Sequence, residues 1–406
     1  MNKKIITLLF TSILLVSCSS GDNPTSETSS TSQVSQSTVT SSETSSEELS
    51  SEEISSEEEI SAITNLEVTD YEVRHTDIQL TYLDSGNYLD TTPYVGNLSK
   101  SAPNPVHISW DEAGESDYIV HIYEDDDLEN EVVSYVTSTN SFDFFNTKLG
   151  QKYNIVVSSA DESVEPSSAV SFVSDARGPR NLFVDGVENV RDLAGLGHIK
   201  QGMIYRSGRF NQDKEDIVVS ISEDGIYEMV NHLKIKTEID LRRITNNEVG
   251  GLTDTSVLGE SVNYIQLPMA FGGNNILTFV GKIQGDTTIY DNPTQIAAFF
   301  DLLADENNYP IDFHCSIGKD RTGCLSYLVE GLMGVSEEEL MLDYMFTNFA
   351  NAGYCKPVDI TQRYVKTLKD YEKGETMQEK IYNYLNEVVE IPSTTLDKVI
   401  EILKVE

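Results

Sequence analysis

The sequence predicts a multidomain chain: an N-terminal antiparallel β-sandwich followed by an α/β domain with a central sheet flanked by helices. Three observations predict it. Residues 19–61 hold serine or threonine at more than half of their positions, with ten carboxylates and no lysine or arginine, a composition that cannot bury enough apolar surface to offset ordering. From about Ile63 to Val173, short alternating runs are separated by Gly, Pro, Asn and Asp, as in hairpin-connected strands. From about Ser174 onward, strand-like runs alternate with longer helix-like ones, which is how an α/β sheet is built. A chain of 406 residues has room for two or three domains of roughly 100 to 200 residues each.

The start of the chain has its own logic. Met1-Asn2-Lys3-Lys4 is basic, and Ile5 to Val16 is an apolar run of twelve residues, too short for the ~20 residues a membrane-spanning helix needs, so 1–18 reads as an export signal. Leu15-Val16-Ser17-Cys18 resembles the lipobox of bacterial lipoprotein signal peptides. That resemblance implies lipidation at Cys18 and a protein anchored to the cell membrane, facing outside the cytoplasm. Residues 19–61 then read as an extended, solvated tether.

The sandwich is expected over 62–175. Val106 to Trp110 places the sole tryptophan on a strand, Tyr118 to Tyr123 alternates, an acidic turn covers Asp125 to Asp127, and Val132 to Val136 and Leu149 to Val157 follow as strands. A strand tryptophan and a leucine followed four residues later by Tyr153 resemble a fibronectin type III domain, which would make Tyr153 its corner tyrosine. His75, His107 and His121 show no metal-ligand spacing.

The α/β domain is expected over 176–406. Gly225 to Leu233 suggests a helix, and Thr237 to Leu241, Val262 to Leu267 and Tyr309 to Phe313 suggest strands. Asn292-Pro293 reads as a cap and first turn leading to Leu303. Ser336 to Glu339 reads as a capping box, and Met377 to Val388 and Thr394 to Leu403 as closing amphipathic helices.

The chemistry is concentrated in His314-Cys315-Ser316-Ile317-Gly318-Lys319-Asp320-Arg321-Thr322-Gly323. A buried strand precedes it, and an amphipathic run from Cys324 to Met333 follows. A tight loop entering a helix turns successive N–H groups inward, and that nest, with the helix dipole, binds a phosphate dianion. Gly318 supplies the turn, and Arg321 can grip two phosphate oxygens with its planar fork. The same field acts on Cys315: a thiol ordinarily near ~8.5 falls to roughly 3.5 to 7.5 beside cations at a helix N-terminus, leaving a nucleophilic thiolate. His314 would hold the loop, Ser316, Ile317 and Lys319 would contribute to the phosphate cradle, and Thr322 would donate to the departing sulfur.

The pattern of His-Cys, five residues, Arg and then Thr resembles the cysteine-dependent protein tyrosine phosphatase superfamily. With Gly-Lys-Asp before the arginine it resembles a bacterial branch of secreted and lipoprotein phosphatases acting on phosphotyrosine, other phosphoresidues and phosphoinositides. Asn189 to Gly195, Tyr205-Arg206-Ser207-Gly208, Ile239 to Arg242 and Asp343-Tyr344 fit the same branch. The resemblance implies phosphoryl transfer to Cys315 and then to water, with no cofactor or metal, on a phosphorylated protein or a phosphoinositide.

The general acid is less directly written. The Trp-Pro loop of many tyrosine phosphatases is absent, since Trp110 lies in the other domain, and the branch implies Asp320 instead. Asp320 either moves the proton or stays ionised and shapes the loop; Asp240, with Arg242, is a second candidate, and Asp286 and Asp291 would serve only if the segment after Phe279 is a lid, with Gly272 to Asn275 as a turn near it. Lys319 either favours a second phosphate or solvates the loop. Cys324 reads as a core residue or a disulfide partner that protects Cys315, and Cys355 has no role. A net charge of −39 excludes nucleic acid and anionic membrane surfaces as partners of the whole molecule, so an anionic substrate needs a local basic pocket, for which Arg191, Arg206 and Arg242 are candidates. A non-enzymatic surface module that binds phospholigand is the reading from another class.

Overall fold

Alternation decides the first part of the fold. In the computed structural model, strands β1 (Glu67–Thr69), β2 (Val106–Ser109), β3 (Tyr118–Tyr123), β4 (Glu131–Thr137), β5 (Ser141–Phe144), β6 (Lys152–Ser159) and β7 (Val170–Val173) form two antiparallel sheets, ordered β1-β2-β5 and β4-β3-β6-β7. On β3, Tyr118, Val120 and Ile122 are buried while Ile119, His121 and Tyr123 are half-exposed, the period of two that a sheet with one covered face requires. One hydrophobic cluster joins both sheets, with Ile108 and Phe144 from one and Val120, Ile155 and Phe172 from the other. Trp110 lies one residue beyond β2 rather than on it, buried edge-on against Tyr118 at 5.2 Å. The structure describes 61–405 except 91–92, 94–100, 115–116, 215–216, 244–253, 272–274, 284, 286, 351–354, 357–358 and 361–365. Cys18, the tether up to residue 60, Asp286 and the Gly272 to Asn274 turn lie outside the described residues.

A helix interrupts the sandwich where the sequence reading has only strands. Helix α1 (Asp77–Asp84) follows β1, its start marked by Gln79, whose side chain accepts the Thr76 N–H at 3.0 Å; Thr-x-x-Gln is the signal that alternation obscured. Tyr82 and Leu83 of this helix belong to the core of the α/β domain. Beside it, wholly buried Arg74 donates to the carbonyls of Thr147 and Asn181, and Arg180 donates to those of Thr147 and Asn146 and pairs with Asp192. The sandwich and the α/β domain therefore meet along a buried polar seam.

The α/β domain contributes β8 (Arg180–Asn181), β9 (Arg191–Asp192), β10 (Ile204–Ser207), the hairpin β11 (Asn211–Lys214) and β12 (Ile217–Ser220), β13 (Thr237–Asp240), β14 (Asn263–Gln266), the short pair β15 (Val280–Gly281) and β16 (Tyr290–Asp291), and β17 (Ile311–His314). The central sheet runs β14-β13-β17-β10-β9-β8. β14, β13, β17 and β10 are parallel, while β9 and β8 are antiparallel. Each residue of β10, β13 and β17 is buried, as expected of parallel strands covered on both faces.

Helix α2 (Glu223–Tyr227) covers one face with a smaller cluster around Phe210, Met229 and Leu258. It passes into a π-helical turn, Glu228–His232, and the turn aims Glu228 at the sandwich, where Tyr135 and Asn146 donate to it at 2.7 and 2.6 Å. The larger core lies on the other face, under α3 (Asn292–Leu303), α4 (Asp320–Leu332), α5 (Glu337–Phe346), α6 (Met377–Glu387) and α7 (Ser393–Leu403). The Ser336 and Glu339 capping box opens α5 as predicted. Asn292 is not the cap of α3. It is buried within the first turn and binds the N–H and carbonyl of Ala270 and the carbonyl of Ile276, pinning the segment after β14. All of α4 is buried; the helix begins at Asp320, four residues before the start read from apolar periodicity, because its first turn is polar.

Candidate active site

Three neighbouring parallel strands end level with one another: Ser207 of β10 and Asp240 of β13 both pair in register with His314 of β17. The carboxyl end of a parallel sheet is where an α/β fold presents ligand-binding loops, and residues 315–319 leave β17 there for the N-terminus of α4. Gly318 has φ +66°, and a Cβ on it would stand 2.5 Å from the Ser207 carbonyl, so only glycine lets the loop press so closely on β10.

The loop is held by its carbonyls. Arg209 donates to the Ser316 carbonyl at 2.7 Å. Asn189 Nδ2 donates to those of Ile317 and Gly318, each at 3.1 Å, and Arg206 also donates to Gly318. A trans peptide sets its C=O and N–H in opposite directions. Turning these carbonyls outward therefore turns the N–H groups of Ile317, Gly318 and Lys319 inward, toward the space above Cys315.

Cys315 is buried. Burial alone would push its thiol up, but Arg321 and the hydroxyl and N–H of Thr322 outweigh burial and the opposing charge of Asp320, so the thiol lies below its ordinary range. Arg321, in the first turn of α4, rests its guanidinium on the carbonyls of Leu241 and Met269 at 3.2 and 3.4 Å and reaches the Ser316 hydroxyl at 3.4 Å. His314 lies between Glu238, at 3.0 Å, and Asp240, at 3.9 Å, with its other nitrogen 3.3 Å from the Cys315 carbonyl. Desolvation works against its charge, yet these carboxylates raise it to about 8, so it is an imidazolium that fixes the Cys315 peptide.

The remaining predicted residues divide. Asp320 stands at the first position of α4, buried at the loop's end. Asp240 does not suit a proton donor: despite burial, His314 and Arg242 hold it at about 2, and Arg242 Nε contacts both of its oxygens while Tyr264 donates to one. Arg242 is equally committed, binding Asn211 with its remaining nitrogens. Lys319 pairs with Asp359 at 3.4 Å. Asp291 accepts the Thr294 hydroxyl at the start of α3. Cys324 lies in the core of α4, with its thiol pushed up by burial; Cys355 is also buried and pushed up to about 12.

Arg191 and Arg206 correct an expectation more sharply. Neither opens to a pocket. Both are wholly buried and share Asp343, Arg191 through Oδ1 at 2.7 Å and Arg206 through Oδ2. They brace the loop from behind, since Arg191 also binds the Asn189 side chain that clamps it. Sequence reasoning missed Asn189 and Arg209 as loop clamps and Glu238 as the partner of His314. The signal for Arg209 was its place directly after Tyr205-Arg206-Ser207-Gly208. A cavity of about 390 Å3 adjoins the loop, lined by Ser316, Gly208, Arg209 and Glu188 among others.

Comparison with known proteins bears on the same region. A profile described as "Tyrosine phosphatase family" matches residues 182–406. A Cupriavidus necator protein named "Putative tyrosine-protein phosphatase" is 22% identical over 205 residues, covering 45% of this chain and 68% of its own. The core catalytic domain of the PP-IP phosphatase Siw14 from S. cerevisiae, in complex with citrate, is 16% identical with a TM-score of 0.28, covering 51% of this chain and 96% of that one. A second structure of the Siw14 catalytic core is 15% identical with a TM-score of 0.28, covering 47% and 87%. The family match spans more than half of the chain and includes the whole loop around Cys315, so this chain belongs to the tyrosine phosphatase family and is a cysteine-dependent phosphatase.

Proposed function

We propose that the chain hydrolyses phosphotyrosine on proteins, through a phosphocysteine, with Asp320 as the proton carrier. The observation that carries this reading is the depressed thiol of Cys315 beneath a loop whose carbonyls are all turned away from it. The phosphate oxygens take the inward N–H groups and Arg321. The Cys315 thiolate attacks phosphorus, the S–P bond forms, and the P–O bond to the leaving group breaks as Asp320 gives that oxygen its proton. Water then attacks phosphorus, Asp320 takes a proton from it, and the S–P bond breaks with Thr322 stabilising the returning thiolate. Charge spread over the equatorial oxygens in each transfer is met by donors already in place.

A phosphoinositide or inositol phosphate is the second reading, favoured by the cations around the loop. Against it, Lys319 is engaged by Asp359. We also propose that 1–18 directs export, that Cys18 carries a lipid anchor, and that 62–175 is a fibronectin type III-like module; the hydrogen bond from the Lys148 N–H to Tyr153 Oη, at 2.8 Å, supports a tyrosine corner there.

The test is phosphate release by the full chain from a phosphotyrosyl peptide, a phosphoseryl peptide and a phosphoinositide, with chelator present. Turnover fastest on the first, lost in Cys315→Ser and reduced about 10²- to 10⁴-fold in Asp320→Asn, is expected. Faster turnover of the lipid moves the reading to the second class; phosphate binding without turnover moves it to a binding module.

A further inference from the structure

Asn189 is unusual in three respects at once. It is fully buried, it has a left-handed backbone at φ +63° without being glycine, and its side-chain amide is shared between two carbonyls of the phosphate loop. Its Oδ1 accepts from Arg191, which Asp343 holds. Its backbone N–H donates to Ser101 Oγ at 3.3 Å. Ser101 lies outside residues 182–406, over which the family profile matches. It lies between β1 and β2, in the segment of the sandwich that also sends Arg74 to the Asn181 carbonyl and His75 to the Pro179 carbonyl. The Asn181 side chain returns a hydrogen bond to the Ser101 carbonyl.

We propose that Asn189 is a positioning residue for phosphoryl transfer, and that Ser101 makes the sandwich segment part of the same device. This rests on the phosphatase reading of Cys315. Asn189 touches no reacting atom; it acts through the two peptide planes it holds. With its amide in place, the Ile317 and Gly318 carbonyls stay outward and the Gly318 and Lys319 N–H groups stay inward. Without it, those planes rotate and the oxyanion loses donors whose individual removal costs about 10²- to 10³-fold in comparable sites. Ser101 acts one step further back, fixing the left-handed Asn189 backbone whose side chain must reach the loop. A catalytic loop in one domain is thereby held in register by a hydroxyl from the other.

The experiment uses the full chain, an aryl phosphate as substrate and inorganic phosphate as a competing anion. Asn189→Gly keeps the left-handed backbone and deletes both the Nδ2 donor to the loop and the Oδ1 acceptor for Arg191. It is expected to lower kcat on the order of 10²-fold and to weaken phosphate inhibition about tenfold or more. Asn189→Asp, which retains an acceptor for Arg191 but no donor for the loop, should behave in the same way. Ser101→Ala should lower kcat several-fold in the same direction, with Ser101→Thr restoring it. The melting temperature separates positioning from stability, because a merely structural role lowers it while leaving kcat and phosphate affinity of the folded enzyme unchanged. Asn189→Gly and Ser101→Ala enzymes that keep both constants within twofold of the parent would overturn the proposal. If the parent chain binds phosphate yet turns nothing over, the phosphatase reading fails by itself, and the phosphate affinities of the variants still decide this one.

Discussion

Asp343→Asn tests the brace behind the loop. Asp343 gives one oxygen to Arg191 and the other to Arg206, both fully buried, and asparagine keeps the shape while removing the charge. Breaking a buried ion pair on one side costs about 3 to 5 kcal/mol. Part of that returns here, because Glu330 is buried beside the cluster with its carboxyl held well above the ordinary range, first by desolvation and then by the charge of Asp343. Removing that charge lets the two arginines draw Glu330 toward ionisation, leaving an expected net loss of about 2 to 3 kcal/mol. For a urea slope of about 3 kcal/mol/M, the unfolding midpoint falls by about 0.8 M. The sign with pH follows. Because the Glu330 carboxyl is raised in the folded chain, its contribution is present below the unfolded pKa of ~4.3 and is lost as pH rises toward the folded one. In the variant that loss is smaller, because the folded pKa has come down. The destabilisation by Asp343→Asn should therefore be larger at pH 5 than at pH 8. A midpoint shift below about 0.3 M, or a penalty that grows with pH, refutes the account of two acids sharing the charge of two arginines.

Other outcomes follow from the same geometry. Alkylation of Cys315 by iodoacetamide should remain fast below the ordinary thiol range, and Arg321→Ala should move its midpoint upward, since Arg321 is the chief group lowering it; an unchanged midpoint would assign the shift elsewhere. Asp240, held at about 2, contributes stability that is present above its unfolded pKa near ~3.9 and lost as pH falls through about 2, and Asp240→Asn should erase that part of the acid limb, about 2 kcal/mol. His314, raised to about 8, contributes in the opposite sense: its stabilisation is full below ~6.5 and lost as pH rises through the folded value, so urea midpoints for His314→Asn should converge with the parent above pH 9. Residues 176–406 expressed alone should give little soluble, folded protein compared with 61–406, because Arg180 then lacks the Asn146 and Thr147 carbonyls and the core under α5 lacks Tyr82; equal thermal melts of the two fragments would show the seam to be dispensable.

The nucleophile loop was legible because its chemistry lies in consecutive residues. A strand end, a glycine turn and a helix N-terminus order Cys315, Gly318 and Arg321 within ten consecutive residues, and the structure adds the distant clamps Asn189, Arg206 and Arg209 that no local pattern shows. Arg191 and Arg206 were misread for the converse reason. A buried arginine and a substrate-binding arginine are the same letter, and what separates them is Asp343 on α5, 152 residues from Arg191 and 137 from Arg206. Asp240 and Arg242 are only two residues apart, and their burial makes them partners of each other. Helix α1 escaped because eight residues, little more than two turns, inside a strand-rich region leave little periodicity, although Thr76 and Gln79 marked its start.

The overall charge poses a physical question that this brace answers. A chain with a net charge of −39 repels a phosphate dianion at long range, and the cations nearest the loop surface are already engaged, Lys319 by Asp359 and Arg242 by Asp240. Behind the loop the balance is different. Arg191 and Arg206 share one carboxylate, Asp343, which desolvation raises but their charges bring below its ordinary range, while desolvation and Asp343 hold the Glu330 carboxyl above its own. Asp312, on β17, is buried on the opposite face of the sheet from Arg206, where desolvation pushes it up to about 7 and it accepts the Ser207 hydroxyl. Water screens the surface carboxylates, but it does not reach this cluster, and Arg206 delivers the field straight to the Gly318 carbonyl that shapes the cradle. Anion binding in so acidic a protein would thus rest on the inward N–H groups and Arg321, with the buried arginines bracing the loop from behind. The surface charge governs how often a substrate arrives, and the interior governs whether it is held.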